Sequence, residues 1–184
     1  MSIRKTPGSN RGLQYRRGSI GQMAKKNAEI ATFMPSANVI VSCRGDDGFD
    51  NALVVGYASN CSYDPPMVMV GIVPSRYSYK LVKQNPCYVV HFARTDQKEA
   101  WDYLGSESGR DGDKLAHLGL TVEDGEVVNA PIITDFPVAV ECSVVDSIMT
   151  GSHEMFVGKI EAIHADEELL DEEGKLDLSA IDLI

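Results

Sequence analysis

Residues 51–81 read NALVVGYASNCSYDPPMVMVGIVPSRYSYKL, and the order of features in this stretch decides the fold. Ala52–Ser59 (ALVVGYAS) has strand composition, as does the preceding Asn38–Cys43 (NVIVSC). The Arg44-Gly45-Asp46-Asp47-Gly48 cluster between them is turn-forming, so the pair predicts a hairpin. After Asp64-Pro65-Pro66, the continuous apolar run Met67–Val73 (MVMVGIV) predicts a strand covered on both faces. Pro74 ends that strand and Ser75 stands where an N-cap belongs. Arg76, Tyr77 and Ser78 then open a short helix that stops before Asn85-Pro86.

Outward from this stretch the same grammar continues. Tyr88–Phe92 is another short strand. Pro137–Val145 alternates, with Val138, Val140, Cys142 and Val144 on one side and Glu141 and Ser143 on the other. Met155–His164 is the last strand. Thr95–Gly105 predicts a capped helix with Ala100, Tyr103 and Leu104 on one face, and Asp113–Leu118 a third short one. Strands that follow one another through short connections, with small helices inserted, predict a mainly β protein: a closed antiparallel barrel with a few short peripheral helices. No GxGxxG follows a strand, which excludes a dinucleotide-binding doubly wound sheet.

The chain has 184 residues, 43% hydrophobic and 24% charged, the composition of one globular domain. The net charge of −10 is unevenly spread. Residues 1–28 carry Arg4, Lys5, Arg11, Arg16, Arg17, Lys25 and Lys26 and no acid, leaving ten basic and 27 acidic side chains, a balance of −17, in the remainder. So acidic a body repels phosphodiester backbones, so nucleic acid is not an expected partner. Residues 1–28 read as a basic, flexible extension and 29–184 as the domain. No stretch of about 18 apolar residues predicts a membrane span, and the basic N-terminal segment lacks the apolar region of a secretory signal. Cys43, Cys61, Cys87 and Cys142 form no CxxC pair, which fits single thiols in a reducing compartment, the cytoplasm. His91, His117 and His164 have no partners at metal-ligand spacing, so no metal is expected.

Two segments carry candidate chemistry. The helix opened by Ser75-Arg76-Tyr77-Ser78 offers unpaired N–H groups, the positive end of a dipole, a guanidinium and two hydroxyls, a set suited to a terminal phosphate. The same residues also fit an ordinary capped helix whose arginine lies in solvent. Ser59-Asn60-Cys61-Ser62 leave a strand with small polar side chains able to hydrogen-bond a flat heterocycle, or to satisfy their own backbone.

The order SNCSYDPPMVMVGIVPSRYSYKLVKQN resembles the flavin reductase-like family, whose fold is the FMN-binding split β-barrel. Thr150-Gly151-Ser152-His153 and the strand after it resemble that family's Gly-Asp-His segment, with Ser152 in place of the acid. The resemblance spans about Ala37–His164. It implies that Ser59, Asn60, Cys61 and Ser62 line the isoalloxazine and that Ser75, Arg76 and Ser78 hold the phosphate. Asn51 falls on a recurrent asparagine near the cofactor. His153 would stand close to the flavin or an incoming nicotinamide, though a histidine between a turn and a strand also serves as a packing residue. The implied activity is an FMN-dependent oxidoreductase with NAD(P)H or a redox protein as electron donor, built as a homodimer with flavin near the subunit boundary. The alternatives are a non-catalytic electron carrier and a flavin-binding sensor module.

Overall fold

Strand β1 (Val39–Arg44) is buried along both faces, and the architecture is arranged around it. The computed structural model describes residues 38–184; the basic extension predicted for residues 1–28 lies outside the described residues. Val39, Val41 and Cys43 enter the main core, while Ile40 on the opposite face joins a second cluster with Leu104 and Leu115. Those two leucines come from α2 (Lys98–Ser106) and α3 (Lys114–Leu118), which cover the outside of β1 and of β2 (Asp50–Val55). Two-sided burial therefore falls on β1. The expectation that Met67–Val73 would be covered on both faces is corrected, because only Val70, Gly71 and Ile72 of β4 (Pro66–Ile72) are buried. The helices lie over the other end of the sheet.

With β3 (Ala58–Tyr63), β5 (Cys87–Phe92), β8 (Val138–Thr150) and β9 (His153–Ala165), these strands form a seven-stranded sheet in the order β2-β1-β5-β8-β9-β4-β3. All neighbours are antiparallel. β6 (Val122–Asp124) and β7 (Pro131–Ile133) make a separate ribbon that three-residue strands left illegible in the sequence. The two edge strands, β2 and β3, are consecutive in the chain and joined only by Gly56-Tyr57. Three residue steps span at most about 11 Å, so the sheet must curl until its edges nearly meet. It does not close: no ladder joins β2 to β3, which corrects the expectation of a closed barrel. The reason lies at Tyr57, whose carbonyl accepts from Gly71 N at 2.7 Å and commits the chain to pairing with β4. Ala52–Ser59 is accordingly two strands and not one.

Inside the curl, Tyr88 is fully buried, and its hydroxyl donates to carbonyl oxygens of Val68 (3.0 Å) and Phe156 (3.3 Å). Gly158 makes room for it, since a Cβ there would collide with the Tyr88 hydroxyl. The outer face of β8 holds a surprise for its alternating pattern. Glu141, expected to face outward with Ser143, is fully buried under the loop between β6 and β7. Its carboxylate accepts N–H bonds from Glu126 (3.1 Å), Val127 (2.9 Å) and Val128 (2.8 Å) and lies 2.6 Å from His164 Nε2. Burial alone would raise its pKa, but the Val128 amide, His164 and the other two amides outweigh that and hold it below the usual carboxylate range. His91 is equally buried, its Nε2 accepting from Ile133 N at 3.0 Å, and burial drives its pKa down to about 3. Among the described residues, no helix is long and apolar enough to cross a membrane.

Candidate functional site

Helix α1 (Tyr77–Gln84) begins directly after the turn that ends β4. Arg76, and not Ser75, is its N-cap residue, and no side chain caps it. Tyr79 N donates to Arg76 O at 3.2 Å, and no side-chain cap takes the amides that precede it. This helix start forms one wall of a cleft of about 240 Å³. Asn51, Leu53 and Val54 of β2 line it too, as do Leu104, Gly105, residues 107–110 and Lys114.

Asn51 is 3% exposed and donates through Nδ2 to Ser78 Oγ at 2.7 Å. Its Oδ1 is buried and unpaired, an acceptor without a donor. Gly109 lies against it: a Cβ at that position would stand 2.5 Å from Asn51 Oδ1 and 2.8 Å from Tyr77 Cδ1. Only glycine lets the 105–110 segment approach this closely. The next residue, Arg110, donates to Ser75 O at 3.0 Å, and its guanidinium lies 5.7 Å from the centre of the Tyr77 ring. Lys114 is nearly buried, donating to Leu104 O (2.9 Å) and Glu107 O (3.1 Å). Three cations therefore border one cleft, Arg76 from the start of α1 and Arg110 and Lys114 from the segment that leads into and opens α3. Ser108, Arg110 and Lys114 were missed from the sequence: SGRDGDK over 108–114 has two glycines but balances its two cations with Asp111 and Asp113, so no net charge marked it.

Asn51, Ser75, Arg76 and Ser78 are brought together in this cleft. Ser59, Asn60, Cys61, Ser62 and His153 do not line it. The four polar residues run along β3, an edge strand, and not through the strand-to-loop transition expected for them. Ser59, Asn60 and Cys61 are exposed, and a register shift between Asn60 and Ser62 bulges Cys61 out of the ladder. His153 opens β9 at the split between the sheet edges. Its ring meets the Tyr57 ring edge-on, centroids 4.7 Å apart and planes at 79°, and its Nδ1 lies 2.8 Å from Ser152 Oγ. The neighbouring Glu154 ties this end of β9 to α1, accepting from Tyr79 Oη (2.5 Å), Lys83 Nζ (3.1 Å) and Ser147 Oγ (2.6 Å). Hydrogen bonds from Ser147, Tyr79 and Lys83 pull its pKa down to about 2. One carboxylate thus fixes the strand bearing His153 relative to the helix that walls the cleft.

The donor set suits a phosphate monoester: an uncapped helix start, hydroxyls of Ser75 and Ser78, and three cations. The unpaired Asn51 Oδ1 further asks for a hydroxyl donor close to that phosphate, which a phosphorylated polyol chain such as the ribityl arm of FMN carries.

Over residues 31–178 the sequence matches the family model for the flavin reductase like domain, and the chain belongs to this family. An uncharacterised protein of Aeropyrum pernix is 30% identical over 132 residues, covering 71% of this chain and 49% of that protein, so the chain spans about half of that relative's length. The FMN reductase (NADH) RutF of Acinetobacter baylyi is 28% identical over 134 residues, 70% of this chain and 65% of its own. Among solved structures, flavoredoxin of Desulfovibrio vulgaris (Miyazaki F) superposes with a TM-score of 0.80 at 29% identity, covering 86% of each chain.

Proposed function

We propose that this protein is an FMN-dependent oxidoreductase of the flavin reductase or flavoredoxin type, taking a hydride from NAD(P)H or electrons from a protein donor. The observation that carries the reading is the cleft at the start of α1, lined by Arg76, Arg110 and Lys114 together with Asn51, whose buried Oδ1 is unpaired. Family membership and the likeness to an FMN reductase and a flavoredoxin support it. Ser75, Arg76, Ser78, Arg110 and Lys114 would hold the phosphate of the cofactor, with Asn51 beside its polyol. The flavin, when bound, supplies the redox chemistry, accepting a hydride at N5 and passing electrons onward.

The protein's part is positioning. Ser59, Asn60, Cys61 and Ser62 present short polar side chains on a bulged edge strand, suited to the polar rim of a planar ring. His153, braced by Tyr57 and with Ser152 at Nδ1, offers Nε2 to a nicotinamide or to negative charge developing on a reduced ring. A homodimer fits the exposed Tyr63, Val145, Ile148 and Met149, which lie on β3 and the far half of β8 together with the unladdered edge of β3.

Reconstitution with FMN followed by stopped-flow mixing with NADH and with NADPH tests the proposal. Bleaching of the flavin absorbance by either donor supports a reductase. The likeness to flavoredoxin favours one rival, an electron carrier, which would bind FMN yet show no bleaching with either nucleotide while accepting electrons from a reduced protein donor. Failure to bind flavin would overturn both.

A further inference from the structure

Lys114 is the one cleft cation that is withdrawn from water, at 4% exposure, whereas Arg76 and Arg110 are both exposed. Its Nζ sits on two carbonyl oxygens, those of Leu104 at 2.9 Å and Glu107 at 3.1 Å. An ammonium has three N–H donors and a neutral amine has two. Both forms can therefore satisfy both carbonyls, and the charge can change without abandoning the contacts that hold residues 104–107. What differs is the third position: an N–H that attracts an anion, or a lone pair that repels one.

We propose that Lys114 is the switchable charge of the cleft: a phosphate entering between Arg76 and Arg110 captures a proton on this buried amine, so that phosphate-dependent affinity is coupled to proton uptake and falls in alkaline solution. This rests on reading the cleft as the flavin-phosphate site. Burial brings the Lys114 pKa down to about 8, so the amine is part neutral in mildly alkaline buffer before any ligand arrives. The other charged groups facing it are the guanidinium groups of Arg76 and Arg110 and the Glu107 carboxylate. The Cys43 thiol of β1 is pushed up to about 12 by burial. A phosphate monoester loses its second proton near pH ~6, so the ligand itself is a dianion throughout. An anion that binds the ammonium form better must, by linkage, raise the amine's pKa, and the proton comes from solvent.

Titration calorimetry of the full chain with FMN and with riboflavin, at pH 8.5 in two buffers of different ionisation heat, measures the proton uptake directly. FMN is expected to take up a substantial fraction of one proton beyond riboflavin, which shares its ring and polyol but lacks the phosphate. FMN affinity is expected to fall about ten-fold between pH 7 and pH 9.5, with riboflavin unchanged. Lys114→Arg, whose guanidinium stays charged, should abolish the excess uptake and flatten the pH profile, and Lys114→Met should bind FMN weakly at every pH. FMN that binds well at pH 7 with no excess uptake, or the same uptake in K114R, would overturn the role of Lys114 alone. FMN that fails to bind at pH 7, or binds no better than riboflavin there, would overturn the phosphate reading of the cleft and this proposal with it.

Discussion

Asn51 Nδ2 donates to Ser78 Oγ at 2.7 Å, tying the edge strand β2 to the first turn of α1 across 27 residues of chain. The bond fixes the amide so that its Oδ1 faces Gly109 without a partner. A buried acceptor left unpaired costs about 1–3 kcal/mol, a penalty that a ligand hydroxyl would relieve. The same amide thus orders the cleft and leaves one buried acceptor unpaired beside it.

Replacing Asn51 with Ala should weaken both FMN and riboflavin, by about ten-fold each, because the lost acceptor serves the polyol and not the phosphate. Fluorescence titration of the two flavins checks this. A loss confined to FMN would move Asn51 to the phosphate.

Arg76 and Arg110 make the opposite forecast. Both side chains are exposed, so screening limits each to a loss of about five- to ten-fold in FMN affinity on substitution by Ala, with riboflavin nearly unaffected. Raising the salt concentration should narrow the gap between FMN and riboflavin in the native protein and less so in either variant. Equal losses for both flavins would mean that the arginines act on folding of the cleft.

His153→Ala is expected to hold FMN within a few-fold while slowing single-turnover reduction by NAD(P)H about ten-fold, a loss of ~1.4 kcal/mol in transition-state stabilisation. The Tyr57 contact gives a purely structural role a different signature: a lower thermal midpoint with an unchanged rate per folded site. Measuring both on one preparation separates the two, and an unaltered reduction rate removes His153 from the chemistry.

Acid should destabilise the fold in two stages. His91 binds its proton only near pH 3 when folded but near ~6.5 when unfolded, so the unfolded chain holds the extra proton between those values. Stability is therefore complete above about pH 6.5 and declines as pH falls below it, by up to about 1.4 kcal/mol per unit. Glu141 acts later: its lowered pKa gives stability present above the unfolded value of ~4.3 and lost as pH falls through the folded one. Urea midpoints at pH 7, 5.5 and 4.5 should drop in the native protein and stay level over the same range in His91→Gln. An identical slope in the variant would assign the proton elsewhere.

Much of this protein was legible in its residues because the controlling interactions are local. The Asp64-Pro65-Pro66 turn, the apolar run to Ile72 and the helix that follows are written in consecutive positions, so strands, helices and half of the cleft could be named without coordinates. Backbone propensity and side-chain alternation act over a few residues, and they determined the antiparallel, mainly β character. What they could not determine is which second face becomes covered. Glu141 sits in an outward position of a clean alternation, and only the loop at 126–128, brought over it by the β6–β7 ribbon, converts that position into a buried anion site. Arg110 and Lys114 meet Ser75 and Asn51 only because α2 and α3 pack on β2, and the sheet stays split because Tyr57 is claimed by Gly71. These are contacts between segments tens of residues apart, set by the free energy of packing whole elements together, and no local pattern encodes them.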